Sequence, residues 1–175
     1  MQQISLVQRL LDLDNRWTAS LRLRSEQRVA WPAAAVFAHS GDSWFWGAGL
    51  LVLIWRGDAV QRAWALQLLL AIVALAAIVL VVKFLIRRQR PPGEWGSLYR
   101  RTDPHSFPSG HAARAFLIAA LVVAWGPAWL LPIVVLWAPL VALARVATGL
   151  HYLSDVVGGV VLGLVAAVVV VQVVG

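Results

Sequence analysis

Among the stretches of this chain without formal charge are Ala63–Val82, interrupted only by Gln67, and Val156–Val174, polar only at Gln172. Each is long enough to cross a hydrocarbon core of about 30 Å as a helix. Over the 175 residues, 61% are hydrophobic and 13% charged, against roughly 25% charged in an ordinary soluble domain. The chain therefore reads as an integral membrane protein forming one domain, residues 1–175. A cleaved leader is not expected, because Arg9, Asp12 and Asp14 interrupt any apolar core of a signal peptide. The absence of cysteine excludes thiol catalysis, disulfides and thiolate metal sites. A net charge of +7 points to anionic headgroups or an anionic substrate. Nucleic acid is not an expected partner, since the basic residues flank apolar spans and no nucleic-acid motif is present.

The rest of the chain fits an all-α, antiparallel membrane bundle of about five spans. Leu6, Leu10, Leu13, Trp17 and Leu21 recur at spacings of three or four, with Arg9, Asp12, Asp14 and Arg16 off that stripe. This predicts an amphipathic helix within 4–28, lying at the interface. Span one, 31–55, is interrupted at His39, Gly41 and Asp42, and reads as one helix or as a shallow helix followed by a short span. Span two covers 63–86, span three 109–125, span four 129–147 with Pro132 and Pro139, and span five 151–174. Residues 87–108 form a loop rich in Arg, Pro, Gly and Ser. Gly159 and Gly163 make a small-xxx-small face for close helix contact. Trp55, Trp64, Trp125 and Trp129 fall at one set of turns and read as an aromatic belt.

Charge at the ends of apolar spans is costly and usually functional. Span two ends at Lys83, span three begins at His111, span four ends at Arg145 and span five begins at His151. An up-down bundle brings all four to one membrane face. His151 and Asp155 are four apart and share a helix face, so the carboxylate can fix one imidazole nitrogen and leave the other to attack. Ser109-Gly110-His111 opens a helix after Pro108. Free N–H groups there suit a phosphate, and Ser109 can cap the helix as well. Lys83, Arg90 and Arg145 supply the positive charge that phosphoryl transfer needs, although Lys83 alone would also fit a snorkelling interfacial lysine. No metal or other cofactor is expected, because those cations supply the charge.

Three strings carry these residues: Lys83-x6-Arg90-Pro91, Pro108-Ser109-Gly110-His111 and Arg145-x5-His151-x3-Asp155. In this order and spacing they resemble the signature of the type 2 phosphatidic acid phosphatase family, kin to non-specific acid phosphatases and vanadium haloperoxidases. The resemblance implies a nucleophilic His151 that forms a phosphohistidine, Asp155 as its orienter, and His111 as general acid and base. It implies phosphate contacts from Lys83, Arg90 and Arg145, with Ser109 and Gly110 at the same site. The family usually has serine where this chain has Ala144, so one hydroxyl contact is lost. Arg114, one turn after His111, reads as a headgroup contact or as a partner of Asp42 or Asp155. Arg87, Arg88, Glu94, Arg100, Arg101, Asp103 and His105 line the loop, and His39 with Asp42 reads as a buried polar contact.

The expected activity is hydrolysis of a lipid phosphomonoester or pyrophosphate: a polyprenyl pyrophosphate, phosphatidylglycerol phosphate or phosphatidic acid. The five-span layout resembles the smaller bacterial polyprenyl-pyrophosphate phosphatases. The alternative is a non-catalytic lipid-phosphate binder or transporter of the same fold. Expected partners are the lipid phosphate and the lipids of a cytoplasmic membrane that the chain crosses several times. Nearly all Lys and Arg lie at the catalytic end, which by positive-inside counting places that end in the cytoplasm. Cations that bind phosphate are poor topology signals, and the resemblance places the active site on the outer face.

Overall fold

The computed structural model describes residues 6–24, 26–93 and 101–174. Among them the chain is helical throughout its ordered elements: α1 Leu6–Leu21, α2 Ala30–Ser40, α3 Ser43–Arg56, α4 Ala59–Ile86, α5 Gly110–Trp125, α6 Leu131–Ala147 and α7 Leu153–Val174. A 3-10 turn, Ala128–Leu130, leads into α6. Three helical stretches are long and apolar enough to cross a membrane: Ala59–Ile86, Ala128–Ala147 and Leu153–Val174. The all-α membrane bundle is thus the observed architecture. Helix α5 has 16 residues, about 24 Å at 1.5 Å per residue. The first span is two helices of 11 and 14 residues, parted at Gly41-Asp42.

Local chemistry explains the boundaries. Asp58 and Gln61 form a reciprocal capping box at the start of α4, with Gln61 N donating to Asp58 Oδ1 at 2.8 Å and Asp58 N to Gln61 Oε1 at 3.1 Å. Helix α4 ends at Arg87, which takes up a left-handed conformation with φ of 51°. Pro132 sits in the first turn of α6, where its missing N–H costs nothing. Pro139 lies in the interior of the same helix.

Helix α1 is inside out relative to a soluble protein. Leu6 is 73% exposed, and Leu10, Leu13, Trp17 and Leu21 are exposed too. Thr18 is its buried residue, and Asp14 turns toward the protein, where it meets α7. This suits a helix whose apolar stripe faces lipid. Of the four tryptophans read as a belt, Trp64, Trp125 and Trp129 border an apolar groove at the end of the bundle where α4 begins, and Trp55 stacks under the Arg56 guanidinium at 4.1 Å.

The core is the α5–α7 contact, flanked by α4 and α6. It depends on the glycine pair read from the sequence. A Cβ at Gly159 would collide with the Ser109 carbonyl, and one at Gly163 with the Ala113 carbonyl. Backbone therefore touches backbone, and α7 lies close enough to deliver its first turn to the start of α5. Gly163→Val should lower the melting temperature in detergent by about 4 °C or more. Gly49→Val, which meets nothing within 4 Å, should leave it nearly unchanged. Equal effects in thermal melts of the two variants would contradict this account of the packing.

Candidate active site

Lys83 lies in the last turn of α4 and is 5% exposed. Its Nζ donates to Asp103 Oδ2 at 2.5 Å and to the His105 carbonyl at 2.9 Å. The left-handed turn at Arg87 then redirects the chain across the end of the bundle. The loop is pinned at its base, because Gln89 and His105 form an isolated antiparallel bridge and Ser106 N donates to the Arg88 carbonyl at 2.8 Å. This places Arg90 inside. Its Nε donates to the Asp103 carbonyl at 2.8 Å, its Nη2 to Asp103 Oδ2 at 2.8 Å, and its Nη1 to the Leu150 carbonyl at 2.9 Å.

The same Nη1 stands 3.0 Å from His151 Nε2. Guanidinium groups only donate, so Nε2 is the acceptor and the proton resides on Nδ1. That nitrogen is 3.6 Å from Asp155 Oδ2. Geometry thus selects one tautomer, with the Nε2 lone pair facing the cations. Burial holds the imidazole well below the usual histidine range, and the charges of Arg145, Arg90 and Lys83 add to it. His151 is neutral at physiological pH. Its position comes from the turn after α6, where Gly149 has φ of +71° and Leu150 N and His151 N both donate to the Arg145 carbonyl at 3.2 Å.

Ser109 is fully buried and accepts from Ala112 N as the N-cap of α5. Its own N–H donates to the Asp155 carbonyl at 2.9 Å, so the starts of α5 and α7 are joined directly. On the next turn His111 Nε2 meets Asp42 Oδ1 at 2.6 Å, while Asp42 Oδ2 lies 3.2 Å from His39 Nδ1. An ionised carboxylate only accepts, which puts the His111 proton on Nε2. Arg114 Nη1 donates to the Gly41 carbonyl. Arg145 is fully buried, with Nη1 donating to the Ala38 carbonyl at 3.3 Å.

These groups border a cavity of about 210 Å³. Lys83, Asp103, His105, His111, Arg114 and His151 form its polar end. Ile72, Leu75, Ala76, Val79 and Leu80 of α4 form an apolar wall beneath. From Ile72 to Lys83 the wall rises about 16 Å along the helix.

The profile of the PAP2 superfamily matches residues 64–175. The chain belongs to the PAP2 superfamily. Its matched part begins in α4 and takes in every residue that lines the cavity. A decaprenylphosphoryl-5-phosphoribose phosphatase of Mycobacterium tuberculosis is 40% identical over 95 residues, 54% of this chain and 52% of that protein. A lipid A 4'-phosphatase of Bacteroides thetaiotaomicron is 40% identical over 65 residues, 37% of this chain and 29% of that protein. The chain thus spans about half the length, or less, of these curated relatives. Among solved structures, the PAP2-type phosphatidylglycerolphosphate phosphatase of Bacillus subtilis superposes with a TM-score of 0.72 at 27% identity, covering 94% of this chain and 86% of that one. Aquifex aeolicus LpxE has the same fold, with a TM-score of 0.70 at 22% identity over 93% of this chain and 94% of that one.

Within this PAP2 fold, the residues singled out from the sequence fall into two layers. Lys83, Gly110, His111, Arg114 and His151 line the cavity, and Arg90 touches His151. Asp155, Ser109 and Arg145 are fully buried around them. Glu94 and Arg100 lie outside the described residues. Four side chains take places that spacing did not foretell. Asp103 sits between Lys83 and Arg90, and Asp42, read as a polar contact, is bonded to His111. Arg88 pairs with both Asp155 and Asp14. Their partners lie 13 to 74 residues away in sequence, so no local pattern announces them. Among the described residues no group of three or more His, Cys, Asp or Glu is arranged to hold a metal ion.

Proposed function

We propose that this chain is a lipid phosphatase that cleaves a phosphomonoester or pyrophosphate through a phosphohistidine on His151. The observation that carries the reading is the two-ended cavity. A neutral imidazole nitrogen and two cations meet at one end, and an apolar wall of lipid-spanning helix continues from it. A phosphate dianion suits the first, an acyl or prenyl chain the second. The names of its PAP2 relatives support the same class of substrate.

In this reading His151 Nε2 attacks phosphorus as the phosphorus–oxygen bond to the lipid breaks. The leaving oxygen takes a proton from the imidazolium form of His111, which becomes neutral while its Nε2 proton stays bonded to Asp42. Water then attacks the phosphohistidine, His111 accepts a proton from it, and inorganic phosphate leaves with His151 neutral again. Lys83, Arg90 and Arg145 stabilise the equatorial oxygens, and the start of α5 at Gly110 adds the positive end of the helix dipole. Asp103 now occupies Lys83 and Arg90 as a carboxylate, and an incoming phosphate takes its place. Candidate substrates are polyprenyl pyrophosphates, phosphatidylglycerol phosphate, phosphatidic acid and polyprenyl-phosphate-linked phosphosugars.

Phosphate release from a panel of these lipids in detergent tests the reading. At least one should be hydrolysed, with activity retained in EDTA and inhibited by vanadate. His151→Ala should lower turnover roughly a thousandfold or more. Lipid binding without phosphate release from any of them would favour a binder or transporter of the same fold. Near-normal activity of the variant would refute the mechanism.

The site is proposed to open on the outer face of the cytoplasmic membrane, since cations engaged with phosphate are discounted as topology signals. The chain has no cysteine, so Arg101→Cys, exposed beside the cavity residue Thr102, introduces a single thiol. A membrane-impermeant maleimide should label it in intact cells. Labelling only after lysis would place the site in the cytoplasm.

A further inference from the structure

Asp155 is fully buried, yet His151 Nδ1 stands 3.6 Å from it, too far for a full hydrogen bond. Its ion pair is with another residue. Arg88 Nη1 donates to Asp155 Oδ1 at 2.8 Å and to Ser154 Oγ at 2.6 Å. Arg88 Nη2 donates to Asp14 Oδ2 at 2.7 Å, and the guanidinium lies 4.0 Å above the Tyr152 ring. Arg88 is therefore held on three sides in one orientation, between the interfacial helix α1 and the carboxylate behind His151.

The first turn of α7 is held by α1 as well. Ser154 N donates to Asp14 Oδ1 at 3.0 Å, Ser154 Oγ to Asp14 Oδ2 at 2.6 Å, and Leu153 N to Thr18 Oγ1 at 3.0 Å. A helix N-terminus normally satisfies these N–H groups from a capping residue of its own chain segment. Here side chains of α1, about 135 residues earlier, supply the cap. The turn they fix is the one that carries His151 and Asp155.

We infer that Arg88 and Asp14 are positioning residues for the His151–Asp155 pair, through which the interfacial helix α1 holds the nucleophile in its attacking geometry. The inference rests on the proposed role of His151. Arg88 gives Asp155 a cationic partner without requiring a cationic imidazole. Without Arg88, Asp155 would keep its hydrogen bonds from Tyr152 N and Ser106 but lose its guanidinium partner, drawing His151 toward the imidazolium, which cannot attack. The charged groups facing His151 are Arg145 from α6, Lys83 from α4, Arg90 from the loop and Asp155 from α7. Arg88 acts on it through the last of these.

The test compares kcat, KM and pH profiles of Arg88→Ala, Asp14→Ala and the double variant with the wild type and His151→Ala. Arg88→Ala should lose about tenfold or more in kcat with KM within about threefold. The ascending limb of its pH profile should move to higher pH, since removal of a cation favours a protonated His151. Asp14→Ala should lose less, and the double variant should lose less than the product of the two single losses. Should Arg88→Ala fail to fold, Asp14→Asn carries the test, with lower kcat at unchanged KM. An inactive His151→Ala beside an Arg88 variant (or Asp14→Asn in its place) of wild-type kcat and profile would overturn the inference while leaving the proposed function standing. Full activity in His151→Ala would instead remove the reading on which it rests.

Discussion

Burying a charge in an apolar bundle costs several kcal/mol unless a partner of opposite sign comes with it. The end of this bundle where α4 finishes is arranged around that constraint. Asp155 is sealed from solvent and is satisfied by Arg88. Lys83 and Arg90 share Asp103, and Asp42 bridges His39 and His111. Burial keeps the His151 imidazole neutral, helped by an imbalance of charge, since cations outnumber carboxylates in its immediate surroundings. The same imbalance leaves room for a dianion. Structural need and proposed chemistry therefore converge on one set of charges.

Close helix packing makes the cluster possible. Because Gly159 and Gly163 let α7 touch the backbone of α5, Ser109 N reaches the Asp155 carbonyl, and the start of α5 sits beside the turn that carries His151. The Arg145 carbonyl receives both Leu150 N and His151 N, which ties the end of α6 to that turn. The α2–α3 break at Gly41-Asp42 brings in a further strand of chain, giving His111 its carboxylate and Arg114 its carbonyl acceptor. Each of these joints lies at a helix end, where backbone groups are left to bond with something outside the helix.

Much of this was readable from residues alone. Uncharged runs announced α4 and α7, spacing announced α1, and the Gly159–Gly163 pair marked the tightest helix contact. Counting spans was enough to bring Lys83, His111, Arg145 and His151 to one end. What the sequence could not convey was partnership across long separations. Arg88 looked like one arginine among several in a polar loop, although it is the ion partner of Asp155. Asp14 looked like a solvated position on an interfacial helix, although it caps α7. Interruption at His39, Gly41 and Asp42 was visible, but its consequence, a carboxylate delivered to His111, depends on α2 packing against α6. Periodicity reports which face of a helix is apolar; it does not report which polar groups will meet.

The central claim is that His151 Nε2 becomes covalently phosphorylated. It is tested most directly by incubating the His111→Ala variant with a radiolabelled lipid phosphate, quenching in denaturant and mapping the label by peptide mass analysis. The account predicts one acid-labile, alkali-stable phosphoramidate on the peptide containing His151, absent when His151 is also replaced. Label on any other residue would contradict it.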